Sequence, residues 1–325
     1  MARPRVFSLL LWVLALLALF LVVRQAPPAA IWAVWRRLTV EQITALIAAN
    51  AAVLVLLTGR WWSILRGQGY RIGYHRPFGY RLAAFAVSYL TPGPQFGGEP
   101  LQVYLLHRRE ALPLTAATAT VALDRLLELV VNFSFLILGT GVVIGLGVAG
   151  PSATALLFGL ALALLSLPLA YLLMLARGRQ PLARVLATLT RRWSHGYRLA
   201  TLMAEVENQA GRFCRQHPGH LLLALGVSLG AWAAMVAEYW LAARFLGVSL
   251  GPAQTVAALT AARFAYLLPM PGGLGAFEAG QLLALTALGF GPAEAMALAL
   301  LIRGRDLVTA ALGIWLGRRY LDDGR

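Results

Sequence analysis

The sequence has no lysine, a single cysteine and few charged residues. Only 13% of its 325 residues are charged, against roughly a quarter in soluble domains, while 59% are hydrophobic and the mean hydropathy is +0.71. The absence of lysine excludes Schiff-base and P-loop chemistry, and Cys214 alone forms neither an intrachain disulfide nor a cysteine-based metal cluster. A soluble enzyme, a disordered regulator and a secreted disulfide scaffold are therefore excluded. The sequence predicts an integral membrane protein.

The charge balance and the apolar runs predict a layout in the membrane. All 28 basic residues are arginines, and a net charge of +15 alone would suggest nucleic acid. In an apolar chain, however, positive charge collects in cytoplasmic loops, so we expect no nucleic-acid partner. With both termini cytoplasmic, 20 arginines fall in cytoplasmic segments and three in outside loops. Six spans are predicted, the first being a retained helix rather than a signal peptide, at 7–23, 40–57, 115–143, 152–175, 221–241 and 293–316.

Two further apolar stretches, at 80–106 and 252–288, are interrupted near their centres by proline and glycine. Both are predicted to be helix–break–helix hairpins that enter the membrane and return, the first from the cytoplasm and the second from outside. The predicted fold class is an all-α polytopic membrane protein with about six transmembrane helices plus two oppositely oriented re-entrant helical hairpins. The residues at the breaks are Pro92, Gly93, Gly97, Gly98, Pro271, Gly272, Gly273 and Gly275.

The two predicted hairpins carry the same pattern. In each, a Pro-Gly pair is followed by five residues and a glutamate, Glu99 in the first and Glu278 in the second. An arginine follows each glutamate in the next span, Arg125 after 26 positions (125 minus 99) and Arg303 after 25 (303 minus 278). Two motifs at matching spacing, on hairpins of opposite orientation, indicate the inverted repeat found in many transporters.

The repeat organises a single membrane domain over 1–325. The first repeat of helix, hairpin and helix is predicted over 40–145, and the inverted second repeat over 219–317. Between them, residues 176–217 contain eight arginines among apolar side chains. This segment is interpreted as a cytoplasmic basic linker with an interfacial amphipathic helix.

Charged side chains inside the spans form the candidate site. Each costs about 2.5–3.5 kcal/mol to insert into a bilayer, so such residues are read as functional. Arg263, Arg305 and Asp124 have no evident local partner, which makes them the best placed to meet an anionic or zwitterionic headgroup. The residues predicted to bind substrate are Glu99, Asp124, Arg125, Glu128, Arg263, Glu278, Arg303, Arg305 and Asp306.

Some of these residues have a structural alternative. Arg125 lies three positions before Glu128. Arg303 lies three positions before Asp306. Residues three apart on a helix can pair, so these two pairs are equally consistent with holding helices to the hairpins.

The half-helix after each break would present free N–H groups and a positive dipole end to a phosphate or carboxylate. The alternative is that each break is a tight turn without a ligand. Glu99 and Glu278 are open to three roles, which are capping the half-helix, binding a cation and carrying a proton. His217 and His220 lack the neighbouring carboxylates of a metal site. We predict no catalytic residue, no metal and no cofactor.

Four segments carry a resemblance to a known family, at 97–106, 122–128, 271–278 and 303–306. They resemble the lysylphosphatidylglycerol synthase transmembrane-domain family, the flippase-like membrane half of bacterial aminoacyl-lipid synthases, of which free-standing members occur, some associated with hopanoid lipids. The resemblance implies a multi-pass, lipid-handling protein of the bacterial cytoplasmic (inner) membrane whose hairpins meet at a lipid site. Many members carry arginine before the Gly-Glu pair and three residues after it, where this chain has Phe96-Gly97 and Gln102.

The repeat and the resemblance favour one function over two alternatives. The prediction is a flippase or transporter that moves a polar-headed lipid or lipid-linked precursor between leaflets. It is not expected to be an enzyme, since the aminoacyl-transfer domain of the two-domain synthases is not seen. The alternatives are an intramembrane glycosyl- or aminoacyl-transferase acting on a lipid carrier, and a non-catalytic membrane scaffold for a lipid synthase. The expected partners are membrane lipids with an anionic or zwitterionic headgroup and a lipid-synthesis enzyme.

Overall fold

Helices make up the regular structure of the chain. The computed structural model describes residues 12–14, 16–21, 24, 26–91, 97–148, 150–190, 194–268 and 270–322. Within these ranges there is no β-strand, and a single 3₁₀ turn spans Pro271–Gly273. From residue 28 onward the α-helices are α1 (Pro28–Trp35), α2 (Val40–Gly67), α3 (His75–Leu90), α4 (Glu99–Arg109), α5 (Leu114–Leu146), α6 (Pro151–Ala176), α7 (Pro181–Leu189), α8 (Ser194–Gln216), α9 (Pro218–Phe245), α10 (Pro252–Ala265), α11 (Ala276–Ala287) and α12 (Pro292–Asp322).

Four helices, α2, α5, α6 and α9, are long and apolar enough to cross a membrane. Even the shortest, α6, has 26 residues, which at about 1.5 Å per residue exceeds the roughly 30 Å hydrocarbon core. They correspond to four of the six predicted spans. The chain is thus an all-α polytopic membrane protein. Helix α12 is as long, at 31 residues, but charged side chains in its middle interrupt the apolar run. The first predicted span, at 7–23, lies partly outside the described residues.

The ends of these helices follow from local sequence. Helix α2 begins after Thr39, whose hydroxyl accepts a hydrogen bond from the Gln42 N–H at 3.3 Å while the Gln42 side chain accepts from the Thr39 N–H. This reciprocal capping satisfies two donors that have no partner inside the helix. Helix α5 ends at Gly147, whose φ of +65° lies in the left-handed region that glycine adopts without strain. Helix α6 then begins at Pro151, where a missing N–H costs nothing.

Each predicted hairpin consists of two helices separated by a break. The first comprises α3 and α4, and the second comprises α10 and α11, joined through the 3₁₀ turn. Pro92 and Gly93 lie outside the described residues. In the second break Gly272, Gly273 and Gly275 all have positive φ, at +55°, +67° and +78°, which explains why glycine recurs there. The opposite orientation of the hairpins and the inverted repeat stay predictions.

Helices from the two halves of the chain pack against each other. Helix α2 lies along α9, and α3 lies along α12. The backbones of α3 and α12 approach closely at Gly313, where a Cβ atom would lie 2.1 Å from the Leu82 carbonyl oxygen. Small residues permit such contacts between membrane helices, where association depends on close packing.

Adding one methyl group at this contact should destabilise the fold. Gly313→Ala is expected to lower the free energy of unfolding by about 1–3 kcal/mol, because the α3 and α12 backbones must separate. Gly304→Ala is the matched control on the same helix, since a Cβ there meets nothing within 4 Å. The control should be neutral or stabilising, because alanine favours helix by about 1 kcal/mol over glycine. Thermal unfolding in detergent measures both, and equal effects would contradict the close packing.

The predicted linker at 176–217 contains two helices rather than one. Helix α8 packs Ala210, Phe213 and Cys214 into a core cluster with residues of α5 and α6. The buried Glu207 carboxylate accepts hydrogen bonds from the backbone N–H groups of Leu182 and Ala183, each at 2.9 Å. These are otherwise unpaired donors in the first turn of α7, so Glu207 fastens α7 to α8. The cytoplasmic location of both helices stays a prediction.

Candidate functional site

Twelve charged side chains on α2–α5 and α9–α12 form the candidate site, and we call them the charge network. Six are arginines and six are carboxylates, so their formal charges cancel. Pairing of this kind offsets much of the cost of removing charges from water. The network comprises Arg60, Arg81, Arg125, Arg263, Arg303, Arg305, Glu99, Asp124, Glu128, Glu238, Glu278 and Asp306.

Asp124 is the centre of one part of the network. Its two carboxylate oxygens accept from Arg60 Nε at 2.7 Å and from Arg81 Nη2 at 2.6 Å. The Arg60 side chain is only 1% exposed, so this pair is shielded from solvent. Asp124 thus has no local partner, as expected, but it is paired across helices. Its partners lie on α2 and α3, 64 and 43 residues away in sequence, where a local pattern does not reach.

Glu128 joins this part of the network to the first break. It accepts from Arg60 Nη2 at 2.9 Å and from Arg125 Nη1 at 2.7 Å, the second being the i, i+3 pair predicted from the sequence. Arg125 Nε lies 3.3 Å from a carboxylate oxygen of Glu99 at the start of α4. Arg125 thus bridges the glutamate of the break to a glutamate of its own helix.

At the second break, Arg303 contacts the glutamate Glu278, as Arg125 contacts Glu99 at the first. Its Nε donates to Glu278 Oε1 at 2.7 Å, and its remaining nitrogens donate to the carbonyl oxygens of Gly272 and Gly273 and, at 3.2 Å, to the Tyr89 hydroxyl. The i, i+3 pair of Arg303 with Asp306, which the spacing allowed, is replaced by the pair with Glu278. The chain reversal at the second break brings Glu278 and two carbonyl groups around the guanidinium, and this outweighs the local i, i+3 contact.

Arg305 also has partners that the sequence did not indicate. Its Nη1 donates to Glu238 on α9 and its Nη2 to the adjacent Asp306, both at 2.7 Å. Glu238 accepts a further hydrogen bond from Asn50 Nδ2 on α2 at 3.1 Å. The prediction that Arg305 has no local partner is wrong, because the adjacent Asp306 pairs with it. Glu238, its second partner, comes from a helix 67 residues earlier in the chain. Arg305, Glu238 and Asn50 thereby link α12, α9 and α2.

Arg263 on α10 has no carboxylate partner among the residues described. Its Nη2 lies 3.1 Å from the Met235 sulfur, and its guanidinium lies over the Trp232 ring, 4.7 Å from the ring centroid. Its Nε is buried and makes no hydrogen bond to any described residue. This agrees with the expectation that Arg263 lacks a local ion pair.

Three N–H groups in the described parts of the two breaks donate to side chains. The Gly97 N–H donates to Glu99 Oε2, and the Gly275 N–H donates to Glu278 Oε2, both at 2.8 Å. The Gly98 N–H donates to the Ser88 hydroxyl at 2.9 Å. Both glutamates therefore act as caps, which was one of the three roles considered. A phosphate at either helix start would have to displace these protein groups.

The two glutamates differ in how much of their side-chain surface is exposed. The Glu278 side chain is 0% exposed and its partner Arg303 is 5% exposed, so this pair is sealed inside the protein. Glu99 is 26% exposed and Arg125 is 20% exposed. The two breaks therefore differ in environment, because the Glu99–Arg125 pair is partly exposed and the Glu278–Arg303 pair is not. No group of three potential metal-ligating side chains occurs in the described part of the chain.

Arg60, Arg81, Asn50 and Tyr89 are site residues that the sequence analysis missed. The sequence predicts that the span of α2 ends at residue 57, where the apolar run fades, and that the five arginines of 59–81, Arg60 and Arg81 among them, are cytoplasmic. The helix itself continues to Gly67 and carries Arg60 inward toward Asp124. The sequence contains a signal for these two arginines. The acidic residues predicted to lie inside the spans favour an equal number of buried cations nearby.

The helices and the charge network define a polytopic membrane protein with ion-paired side chains inside its helical core. The chain belongs to the lysylphosphatidylglycerol synthase TM region family, which matches residues 6–313. The family resemblance carried by the four segments is thereby confirmed.

Two archaeal relatives are similar over a shorter region. A UPF0104 membrane protein of Methanothermobacter thermautotrophicus is 33% identical over 94 residues, which is 29% of this chain and 27% of that relative. A UPF0104 membrane protein of Methanocaldococcus jannaschii is 30% identical over 95 residues, which is 29% of this chain and 28% of that relative. The matches thus span less than a third of each relative. No solved structure matches the chain.

Proposed function

We propose that the protein is a flippase that moves a polar-headed lipid between the leaflets of the cytoplasmic membrane without changing it chemically. Partly exposed charges inside the helices support this most directly. Glu128 and Arg305 keep 33% and 34% of their side-chain surface exposed. Charges at membrane depth usually face a water-filled cavity or the interior of the helical bundle. Such a polar region suits a headgroup, while the tail of the lipid stays in the bilayer.

Contacts between the two halves support a moving rather than a static site. Arg303 on α12 donates to Tyr89 on α3, and Arg305 pairs with Glu238, which is bonded to Asn50 on α2. If residues 40–145 and 219–317 rock against each other as inverted repeats, these contacts break and reform around a central site. The proposed substrates are membrane lipids, and a lipid-synthesis enzyme is the proposed supplier.

Reconstitution in liposomes tests this function. The purified chain should accelerate the movement of fluorescently labelled phospholipids between leaflets, measured by the fraction of probe that a membrane-impermeant quencher reaches. Protein-free liposomes and heat-denatured protein are the controls. Chemical conversion of the lipid when a donor is supplied would favour a transferase instead. If lipid is neither moved nor converted, the scaffold alternative gains support.

Thiol labelling tests the proposed topology, with both termini and the linker in the cytoplasm. Cys214 is buried, and burial raises its pKa to about 11, so it should react poorly with thiol reagents, which attack the thiolate. Ser152→Cys and Ala287→Cys, both at exposed positions in the outside loops or beside them, should label with an impermeant reagent in intact cells. Ala187→Cys on α7 should label only after permeabilisation. The unsubstituted chain is the control, and labelling at 187 in intact cells would contradict the layout.

A further inference from the structure

Arg263 differs from the five other arginines of the charge network. Each of the others contacts at least one carboxylate within 4 Å, whereas the only hydrogen-bond acceptor that Arg263 reaches in the described structure is the Met235 sulfur. A thioether is a weak acceptor, and a guanidinium has five N–H donors. Arg263 therefore retains most of its hydrogen-bonding capacity inside the protein.

Aromatic rings hold the Arg263 guanidinium in place. It lies over Trp232, and Trp232 is stacked on Phe135 with a centroid distance of 4.2 Å. These three side chains come from α10, α9 and α5, so they join helices of both halves. A planar guanidinium stacked on an aromatic ring is a preorganised phosphate-binding group, because little side-chain entropy is lost when the anion arrives.

The surroundings of Arg263 determine what charge its ligand carries. Helix α10 packs against α5, which carries Glu128, and Tyr266, three residues after Arg263, lies 3.5 Å from a carboxylate oxygen of Asp306. An anion bound at Arg263 therefore lies in a region that contains carboxylates as well as cations. The six arginines and six carboxylates of the charge network already balance. A headgroup with a phosphate alone would leave a surplus negative charge in a region of low dielectric constant, whereas a headgroup that also carries an ammonium would not.

Glu128 is the accessible carboxylate best suited to bind the ammonium of such a headgroup. Its side chain is 33% exposed, with Oε1 in contact with Arg125 and Oε2 in contact with Arg60. A carboxylate has about four lone-pair positions, so Glu128 can accept further hydrogen bonds from an ammonium.

We propose that the site binds a zwitterionic lipid headgroup, with its phosphate on Arg263 and its ammonium on Glu128. This inference rests on the proposed lipid transport and names the substrate class for it. It selects a net-neutral headgroup over an anionic one and assigns a specific binding residue to each charge.

Transport of two lipids with the same acyl chains tests the inference. Acyl-labelled phosphatidylethanolamine is zwitterionic, and acyl-labelled phosphatidylglycerol is anionic. In liposomes containing the purified full chain, phosphatidylethanolamine should move about tenfold faster or more, since a hydrogen bond to a charged group contributes about that factor. Arg263→Gln should slow phosphatidylethanolamine by a similar factor.

The matched control is Arg244→Gln. Arg244 also lies over a tryptophan, with its guanidinium 5.1 Å from the Trp240 ring centroid, but it is exposed near the end of α9. This variant should transport at the unsubstituted rate. If Arg263→Gln does not fold, Arg263→Lys keeps the charge but loses the planar stacking, and it should slow phosphatidylethanolamine while its elution in size-exclusion chromatography stays unchanged.

The outcomes separate the inference from the function on which it rests. Movement of phosphatidylglycerol at an equal or greater rate would overturn the zwitterionic headgroup while leaving lipid transport intact. An unchanged phosphatidylethanolamine rate in a folded Arg263 variant would overturn the phosphate position. If neither lipid moves, the proposed transport function itself fails.

Discussion

Glu278→Gln should lower the free energy of unfolding by about 3–5 kcal/mol, because it leaves the Arg303 guanidinium buried without a countercharge. The pair is sealed, with Glu278 0% exposed and Arg303 5% exposed. The two side chains also fix the second break, since Glu278 caps Gly275 and Arg303 binds the carbonyl groups of the turn. Loss of the charge therefore weakens the α10–α11 connection as well as the ion pair. Unfolding of the purified variant in detergent, by heat or by added SDS, measures the effect.

Two further variants isolate the ion pair. Glu41→Gln removes an exposed carboxylate from the first turn of α2 and should change stability by less than about 1 kcal/mol. The double variant Glu278→Gln/Arg303→Gln removes both charges, and it should recover part of the stability lost by Glu278→Gln alone. If Glu278→Gln behaves like Glu41→Gln, the sealed pair does not stabilise the protein.

Much of the chain's organisation follows from sequence because it depends on local properties. Apolar length predicted the four spanning helices, and Pro-Gly pairs predicted the interruptions between α3 and α4 and between α10 and α11. The matching spacing of Glu99 to Arg125 and of Glu278 to Arg303 singled out two pairs that do form ion pairs in the structure. A spacing that occurs twice carries more information than one that occurs once, because two matches are less expected by chance.

The partners of the other charges were not predictable from local patterns. Asp124 meets Arg60 on a helix 64 residues earlier, and Arg305 meets Glu238 across 67 residues. Which helices become neighbours depends on packing contacts such as that between Gly313 and Leu82, and one sequence does not reveal these. The i, i+3 rule gave the right partner for Arg125 and the wrong one for Arg303. At Arg303, hydrogen bonds to the carbonyl groups of a neighbouring turn determine the position of the guanidinium.

Glu99→Gln should reduce lipid transport by about tenfold or more, equivalent to about 1.4 kcal/mol, while leaving the fold intact. Glu99 is 26% exposed, so its charge is not sealed inside the protein as that of Glu278 is. A glutamine at this position can still accept the Gly97 N–H, which preserves the cap at the start of α4. Arg125 keeps its 2.7 Å contact with Glu128, so no guanidinium is left unpaired. The expected loss is therefore functional rather than structural.

The contrast between the two glutamates distinguishes a transport role from capping. Glu99→Gln should unfold at nearly the temperature of the unsubstituted chain but transport slowly, in the same liposomes that measure phosphatidylethanolamine movement. Glu278→Gln should instead lose mainly stability, measured as a lower unfolding temperature. Near-normal transport by Glu99→Gln would reduce Glu99 to a cap, because the amide replaces the carboxylate as an acceptor but not as a charge. A large loss of stability in Glu99→Gln would instead show that the exposed pair supports the fold as the sealed one does.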